Sequence, residues 1–336
     1  MAKNSHYTNS KNYTVRRLIL AVAFVIVLGA AAIKLSSGIF SASTKQSPAS
    51  NVLTGKNIPA VEKPQPPVTV AQPQPQPALP EPVKPKPSPG EQLLQQGSQA
   101  FTAGNYIDAR DKLSQAAALG LTEQQDGQVR QMLNTAADKW LFSRNVCDND
   151  NLCSMYKVAS GDRLTSIGKA NDVPWQLIQR INNMADAANL RAGEDIKLLK
   201  GPFHVTVDRK RFLMTVYLGD VMVRSYPVGL GAQERQTPAG VWLVKLKQPN
   251  PAWTDPDTGK KYYPDDPDNP LGERWIGLEG LEGDAVGRTG FGIHGTIQPE
   301  DIGKPASRGC IRLFNKDVEE LYDLLLENKS KVTVID

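Results

Sequence analysis

Apolar positions recur at helical spacing in the stretch 91–147. In "EQLLQQGSQAFTAGNYIDARDKLSQAAALG", Leu94, Gly97, Ala100 and Phe101 share one face. After a turn at Gly104-Asn105, Tyr106, Ala109, Leu113 and Ala116 form the next. A third run carries Val129, Met132, Leu133, Ala136, Ala137, Trp140 and Leu141. The pattern predicts a small all-α domain, a helical hairpin followed by a third helix. Over 154–200 the pattern changes. A strand Tyr156–Val158 meets a turn at Gly161-Asp162, a helix carries Leu164 and Ile167, and a second helix from Pro174 carries Leu177, Ile178 and Ile181. Leu190, a turn at Gly193 and a strand Ile196–Leu199 complete a βααβ unit. Over 202–336 the period falls to two: "FHVTVD", "FLMTVYL" and "VMVRSYPVG" alternate between turns at Lys210 and Gly219-Asp220. "GVWLVKL", "RWIGL", one late helix "DVEELYDLLLEN" and a closing "KVTVI" predict a mainly-β domain with one helix under it.

Upstream, Leu18 to Ile33 is a charge-free run of sixteen residues preceded by Arg16 and Arg17. At 1.5 Å per residue it covers about 24 Å; Val15 and Leu35 extend it, and Arg17 and Lys34 can snorkel. Residues 1–36 therefore read as a cytoplasmic tail and transmembrane signal anchor, with the basic side inside. A cleaved signal peptide with "SAS" at 41–43 is the competing reading, and both export the chain. Residues 37–90 read as a disordered proline-rich linker: "EKPQPPVTVAQPQPQPALPEPVKPKPSPG" favours polyproline II, and some 45 residues of it reach up to about 140 Å. The expected architecture is thus multidomain, from transmembrane helix to mainly-β C-terminal domain.

The 336 residues and 25 prolines fit folded modules joined by an extended segment. A net charge of +4, with basic residues scattered among acids, argues against a nucleic-acid partner. The three histidines, at 6, 204 and 294, form no ligand cluster, so neither metal nor cofactor is expected; His204 reads as structural. Three cysteines in an exported chain read as one disulfide, Cys147 with Cys153, and one free thiol, Cys310.

"IHGTIQPEDIGKPASRGCIRLF" brings His294 and Cys310 into one glycine-punctuated stretch. A thiol attacks as thiolate, and a histidine within reach would supply the base. Arg308 and Arg312 would add positive potential, and the N–H groups of Gly309 and Cys310 would face a developing oxyanion. A catalytic pair and a packed cysteine beside an unrelated histidine both remain open on these features. Between Lys247 and Glu273 a polar stretch reads as a lid, whose Asp255, Asp257, Asp265, Asp266 and Asp268 would attract a cationic amine; "DPDTG" within it holds only part of a calcium loop.

Three resemblances sharpen this picture. The helical hairpin resembles one tetratricopeptide unit, too few for a binding solenoid, which leaves packing and partner docking both open. Tyr156, Val158, Gly161, Asp162, Leu164, Ile167, Asn182, Leu190, Gly193 and Ile196 make the βααβ unit resemble a lysin-motif (LysM) domain, which implies a grip on peptidoglycan glycan through the loops after each strand. "FHVTVD", "SYPVGLG", "TPAG", "NPLGERWIGL", "GIHGT" and "SRGCIRL" make the last 135 residues resemble the YkuD-type L,D-transpeptidase catalytic domain. That resemblance implies Cys310 as nucleophile and His294 as acid/base, with Ser307 and Gly309 matching the family's Ser-His-Gly-Cys and Arg308 replacing its usual histidine. Thr296 is a candidate to orient the imidazole. The implied reaction joins the third residue of one stem peptide to a second stem through a thioester, releasing D-alanine. Water as acceptor would make an L,D-carboxypeptidase, and an inactive last domain would leave a wall-binding structural protein. The expected setting is the cell membrane, single-pass, with the catalytic part outside the cytoplasm.

Overall fold

The computed structural model describes residues 86–145 and 150–336. The apolar run Leu18–Ile33, most of the proline-rich stretch and Cys147 lie outside the described residues. Among the described residues no helix is long and apolar enough to cross a membrane.

Three helices come first: α1 (Pro89–Thr102), α2 (Tyr106–Ala118) and α3 (Glu123–Trp140). α1 starts two residues before the apolar pattern because its cap lies outside the pattern. The Ser88 hydroxyl accepts the Glu91 N–H at 3.2 Å, the Glu91 carboxylate accepts the Ser88 N–H at 2.8 Å, and Pro89 takes the first turn. Thr122 and Gln125 repeat the device on α3. Gly97 lets α1 and α2 touch, since any Cβ there would sit 2.7 Å from Leu113 Cγ.

The βααβ unit follows as β1 (Cys153–Lys157), α4 (Leu164–Ala170), α5 (Trp175–Ile181) and β2 (Asp195–Leu199). β1 and β2 pair antiparallel with Tyr156 opposite Ile196. The Asn182 side chain fastens α5 to β2, donating to the Lys197 carbonyl and accepting the Lys197 N–H, both at 2.8 Å. Lys197 itself is buried, and its ammonium donates to the carbonyls of Trp140, the last residue of α3, and of Ser143 just beyond it. Burial pushes its pKa down to about 8. Cys153 is disulfide-bonded and Cys310 is free.

The C-terminal domain holds β3 (Phe203–Asp208), β4 (Leu213–Leu218), β5 (Val221–Pro227), β6 (Leu230–Gly231), β7 (Gly240–Pro249), β8 (Trp253–Thr254) and β9 (Lys261–Tyr262). Then come β10 (Arg274–Gly283), β11 (Phe291–His294), β12 (Pro305–Ser307), β13 (Ile311–Arg312), α6 (Asn315–Leu324) and β14 (Lys331–Ile335). Eight strands form one sheet in the order β13-β11-β10-β7-β14-β3-β4-β5. Alternation buries Phe203, Val205 and Val207 on one side, and α6 buries Val318, Leu321 and Leu324.

The helical domain packs on this sheet. α3 lies along the edge strand β5, where the Asn134 amide accepts the Ser225 N–H at 2.9 Å and donates to the Ser225 carbonyl at 3.2 Å. The Arg224 guanidinium is buried there, donates to Glu320 at 2.7 Å and to the Asn134 carbonyl at 3.0 Å, pairs with Asp138, and stacks 4.3 Å from the Phe142 ring centre. One apolar core runs from Ala136 and Leu141 through Ile167 and Leu177 to Val205 and Met214. Of the two roles that the sequence left open for the helices, packing is the one they fill here.

Candidate active site

The register of β11 and β13 brings the two reactive side chains together. They run parallel, with Ile293 opposite Ile311 and His294 opposite Arg312. Extending the register by one residue sets Cys310 beside Gly292, two positions from His294. Residues two apart on a strand face the same side, so thiol and imidazole open into one space. That space is a cavity of about 580 Å³ whose lining includes Cys310, His294, Ser307, Trp275, Tyr262 and Asp268.

Cys310 is half-buried: part of its surface opens to the cavity, while protein atoms crowd it elsewhere. That crowding pushes the thiol pKa up, against smaller downward pulls from the Gly292 N–H and the Arg312 charge. The thiol's contact with the Gly290 carbonyl is long, at 3.9 Å. His294 is buried and stacks on the Trp275 ring at 5.8 Å between centres, inclined by 24°. Its Nδ1 is 2.6 Å from the Gly295 carbonyl, which can only accept, so that nitrogen carries the proton. Burial and, to a lesser degree, Arg312 lower the pKa of His294 to about 4, although the Gly295 and Leu271 backbones favour the protonated ring. Both shifts favour the uncharged forms, thiol and neutral imidazole, at neutral pH.

The remaining sequence candidates fall into different roles. Ser307 is buried, donates to the Cys310 carbonyl at 2.6 Å and accepts the Gly309 N–H at 3.1 Å, so it shapes the loop under the nucleophile. Gly309 is thereby removed from the expected oxyanion pair, because its N–H is already engaged. Its φ of +116° suits only glycine, and a Cβ there would lie 2.7 Å from the Phe291 ring. The Cys310 N–H, in contrast, has no hydrogen-bond partner among the described residues. Thr296 does not reach the imidazole. Its hydroxyl turns onto Gln298, accepting the N–H at 2.9 Å, and the backbone carbonyl of Gly295 orients the ring instead. Arg308 does not supply free positive charge to the thiol, because it pairs with Asp255 at 2.9 Å and Asp257 at 2.8 Å. Its guanidinium holds the Asp255 carboxyl down to about 2. Arg312 pairs with Asp301, yet lies close enough to act on both His294 and Cys310. His204 accepts the Lys331 N–H at 3.1 Å in the sheet, a structural part as expected.

The polar stretch 247–273 is a strap rather than a bare loop. β8 and β9 pair with Trp253 opposite Tyr262, the two rings stacked at 5.7 Å, and Arg308 ties the hairpin to the cysteine loop. Among the described residues no cluster of three or more His, Cys, Asp or Glu side chains is placed to hold a metal. Two contributors went unassigned in the sequence although their segments had been singled out. Trp275 supports the imidazole, and Thr237 of "TPAG" donates to the Gly309 carbonyl at 2.8 Å while accepting the Gly231 N–H at 3.1 Å.

Comparison with known proteins bears on this arrangement. The L,D-transpeptidase catalytic domain family matches residues 202–334, and the LysM domain family matches 156–198. A Bacillus licheniformis protein described as L,D-transpeptidase YkuD is 29% identical over 187 residues, 54% of this chain and 98% of that protein. Its Bacillus subtilis counterpart is 30% identical over 186 residues, 53% of this chain and 97% of that protein. A second Bacillus subtilis protein, described as L,D-transpeptidase YqjB, is 36% identical over 129 residues, 38% of this chain and 68% of that protein. Similarity that spans nearly the full length of the YkuD proteins shows that this chain belongs to the YkuD family of L,D-transpeptidases.

Proposed function

We propose that Cys310 is the nucleophile and His294 the proton carrier with which this L,D-transpeptidase crosslinks peptidoglycan. The observation that carries the assignment is the β11–β13 register, which aims a free thiol and a buried imidazole into one cavity. Cys310 Sγ attacks the carbonyl of the third stem residue as the thiol proton passes to His294. The tetrahedral oxyanion meets the unengaged Cys310 N–H. The C–N bond breaks, His294 returns the proton to the departing D-alanine amine, and a thioester remains. An amine of a second stem then attacks the thioester, the C–S bond breaks, and its proton restores the thiol.

The LysM unit supplies a grip on the same polymer, and its loops after β1 and β2 are the proposed contact. Export is supported by the charge-free run Leu18–Ile33 behind Arg16 and Arg17 and by a disulfide-bonded Cys153, since disulfides persist in oxidising compartments. The proposed setting is a membrane-anchored protein with 37–90 as spacer and the catalytic part outside the cytoplasm.

Incubation with a carbapenem followed by mass spectrometry tests the nucleophile. The wild-type chain gains one adduct that maps to Cys310, and Cys310→Ala gains none. An unmodified wild-type chain, or an adduct that persists in Cys310→Ala, overturns the assignment.

A further inference from the structure

The charges lining the Cys310 cavity belong to Arg235, Arg308, Arg312, Asp255 and Asp268. Every cation among them is already matched. Arg308 pairs with Asp255 and Asp257, Arg235 approaches Asp257 at 3.8 Å, and Arg312 pairs with Asp301. Three guanidiniums against three carboxylates leave one charge over, that of Asp268. Among the described residues its carboxylate has neither an ion pair nor a hydrogen bond; only its backbone N–H is engaged, with the Asp266 side chain at 2.9 Å. The other acids of the strap are occupied or face elsewhere. Asp265 accepts from Asn250 at 2.8 Å, and Asp265 and Asp266 line a neighbouring cavity that includes neither Cys310 nor His294.

We infer that Asp268 is the specificity-determining residue for the acceptor, drawing a cationic amine to the thioester on Cys310. The inference rests on the proposed transpeptidation and names the group that selects its second substrate. The donor brings the carboxylate of its terminal D-alanine, which an uncompensated carboxylate disfavours. The acceptor brings an ammonium, which it favours. At the thioester the ammonium gives one proton to solvent and the neutral amine attacks. The C–N bond forms, the C–S bond breaks, and the second proton passes through His294 to the Cys310 thiolate. Asp268 is solvent-exposed, so its pull is moderate and screened by salt.

The test uses the full chain, a tetrapeptide-stem donor and two acceptors: lysine amide, which is cationic, and hydroxylamine, which is uncharged at neutral pH. The readout is the ratio of their kcat/KM values. Asp268→Asn lowers that ratio about 2- to 5-fold through the KM for lysine amide, and Asp268→Glu restores most of it. Raising the salt to 0.5 M narrows the gap between wild type and Asp268→Asn. Unchanged selectivity in Asp268→Asn, or equal losses with both acceptors, overturns the inference. A wild-type chain that forms no thioester with the donor instead overturns the proposed function, so the two failures are distinguishable.

Discussion

A thiol whose pKa is raised by burial and an imidazole held at about 4 both rest uncharged at pH 7, so the Cys310 proton moves only when a carbonyl arrives. In His294→Ala, turnover of a peptide donor, which needs a proton on its leaving amine, falls about 10²- to 10⁴-fold. Acylation by a strained β-lactam falls less. Equal losses, measured on the one variant, would mean that His294 acts only in activating the thiol. The same depressed pKa links to stability. The unfolded imidazole titrates near 6.5 and the folded one near 4, so the unfolded chain binds the extra proton between them. Stability from this group is full above about pH 6.5 and declines by about 3 kcal/mol as pH falls toward 4. Urea denaturation at pH 7 and pH 4.5 should therefore give a smaller acid loss in His294→Gln than in wild type. At this scale the reactive pair was legible from residue type and family motif. The parts of Thr296, Arg308 and Gly309 were not: Arg308 pairs with acids some fifty residues away, and the bonds of Thr296 to Gln298 and of Gly309 to Ser307 are set by local loop geometry that residue type does not encode.

Long, strongly periodic elements were the legible ones. β3 and β14 run over the same residues as "FHVTVD" and "KVTVI", and α3 follows its apolar stripe to Trp140. The short ones were not: β8, β9, β12 and β13 have two or three residues each, too few for a period, yet they carry the strap and the cysteine loop. The strap hangs on Arg308, which reaches Asp255 and Asp257 from the loop that bears Cys310. In Arg308→Ala the backbone amides of 253–262 should exchange with deuterium faster, while those of β3 and β14 keep their rates. Arg308 and Asp257 are exposed and only Asp255 is shielded, so the midpoint of thermal unfolding should move little. Unchanged exchange in the hairpin would show that stacking of Trp253 on Tyr262 holds it without the ion pairs.

Across the molecule the modules read from composition as separate beads share one core, and the seams are polar groups buried between them. Lys197 of the βααβ unit spends its ammonium on carbonyls of the helical domain, so a fragment of residues 150–201 would strand that charge; glycan-binding tests belong on the full chain. Arg224 is the second seam. Arg224→Ala removes the partner of Glu320 and Asp138 and opens space beneath Phe142, with an expected loss of about 2–4 kcal/mol, discounted because Asp138 is more than half exposed. Equilibrium denaturation of the two chains measures it. No periodicity announces such seams, since each is a single polar residue within an otherwise ordinary strand or helix. The Asn134 amide on Ser225 is the smallest of them and has the widest reach. β5 closes the eight-stranded sheet on one side, and a side chain there imitates the missing neighbour. Stripped of the helices, the catalytic domain would offer that row of N–H and C=O groups to any strand in solution, above all to β5 of a twin. Residues 202–336 alone should self-associate as concentration rises, seen by light scattering, while 86–336 stays monodisperse. The helical trio is then an inbuilt guard against polymerisation, carried by each copy to keep its crosslinking domain from linking to itself.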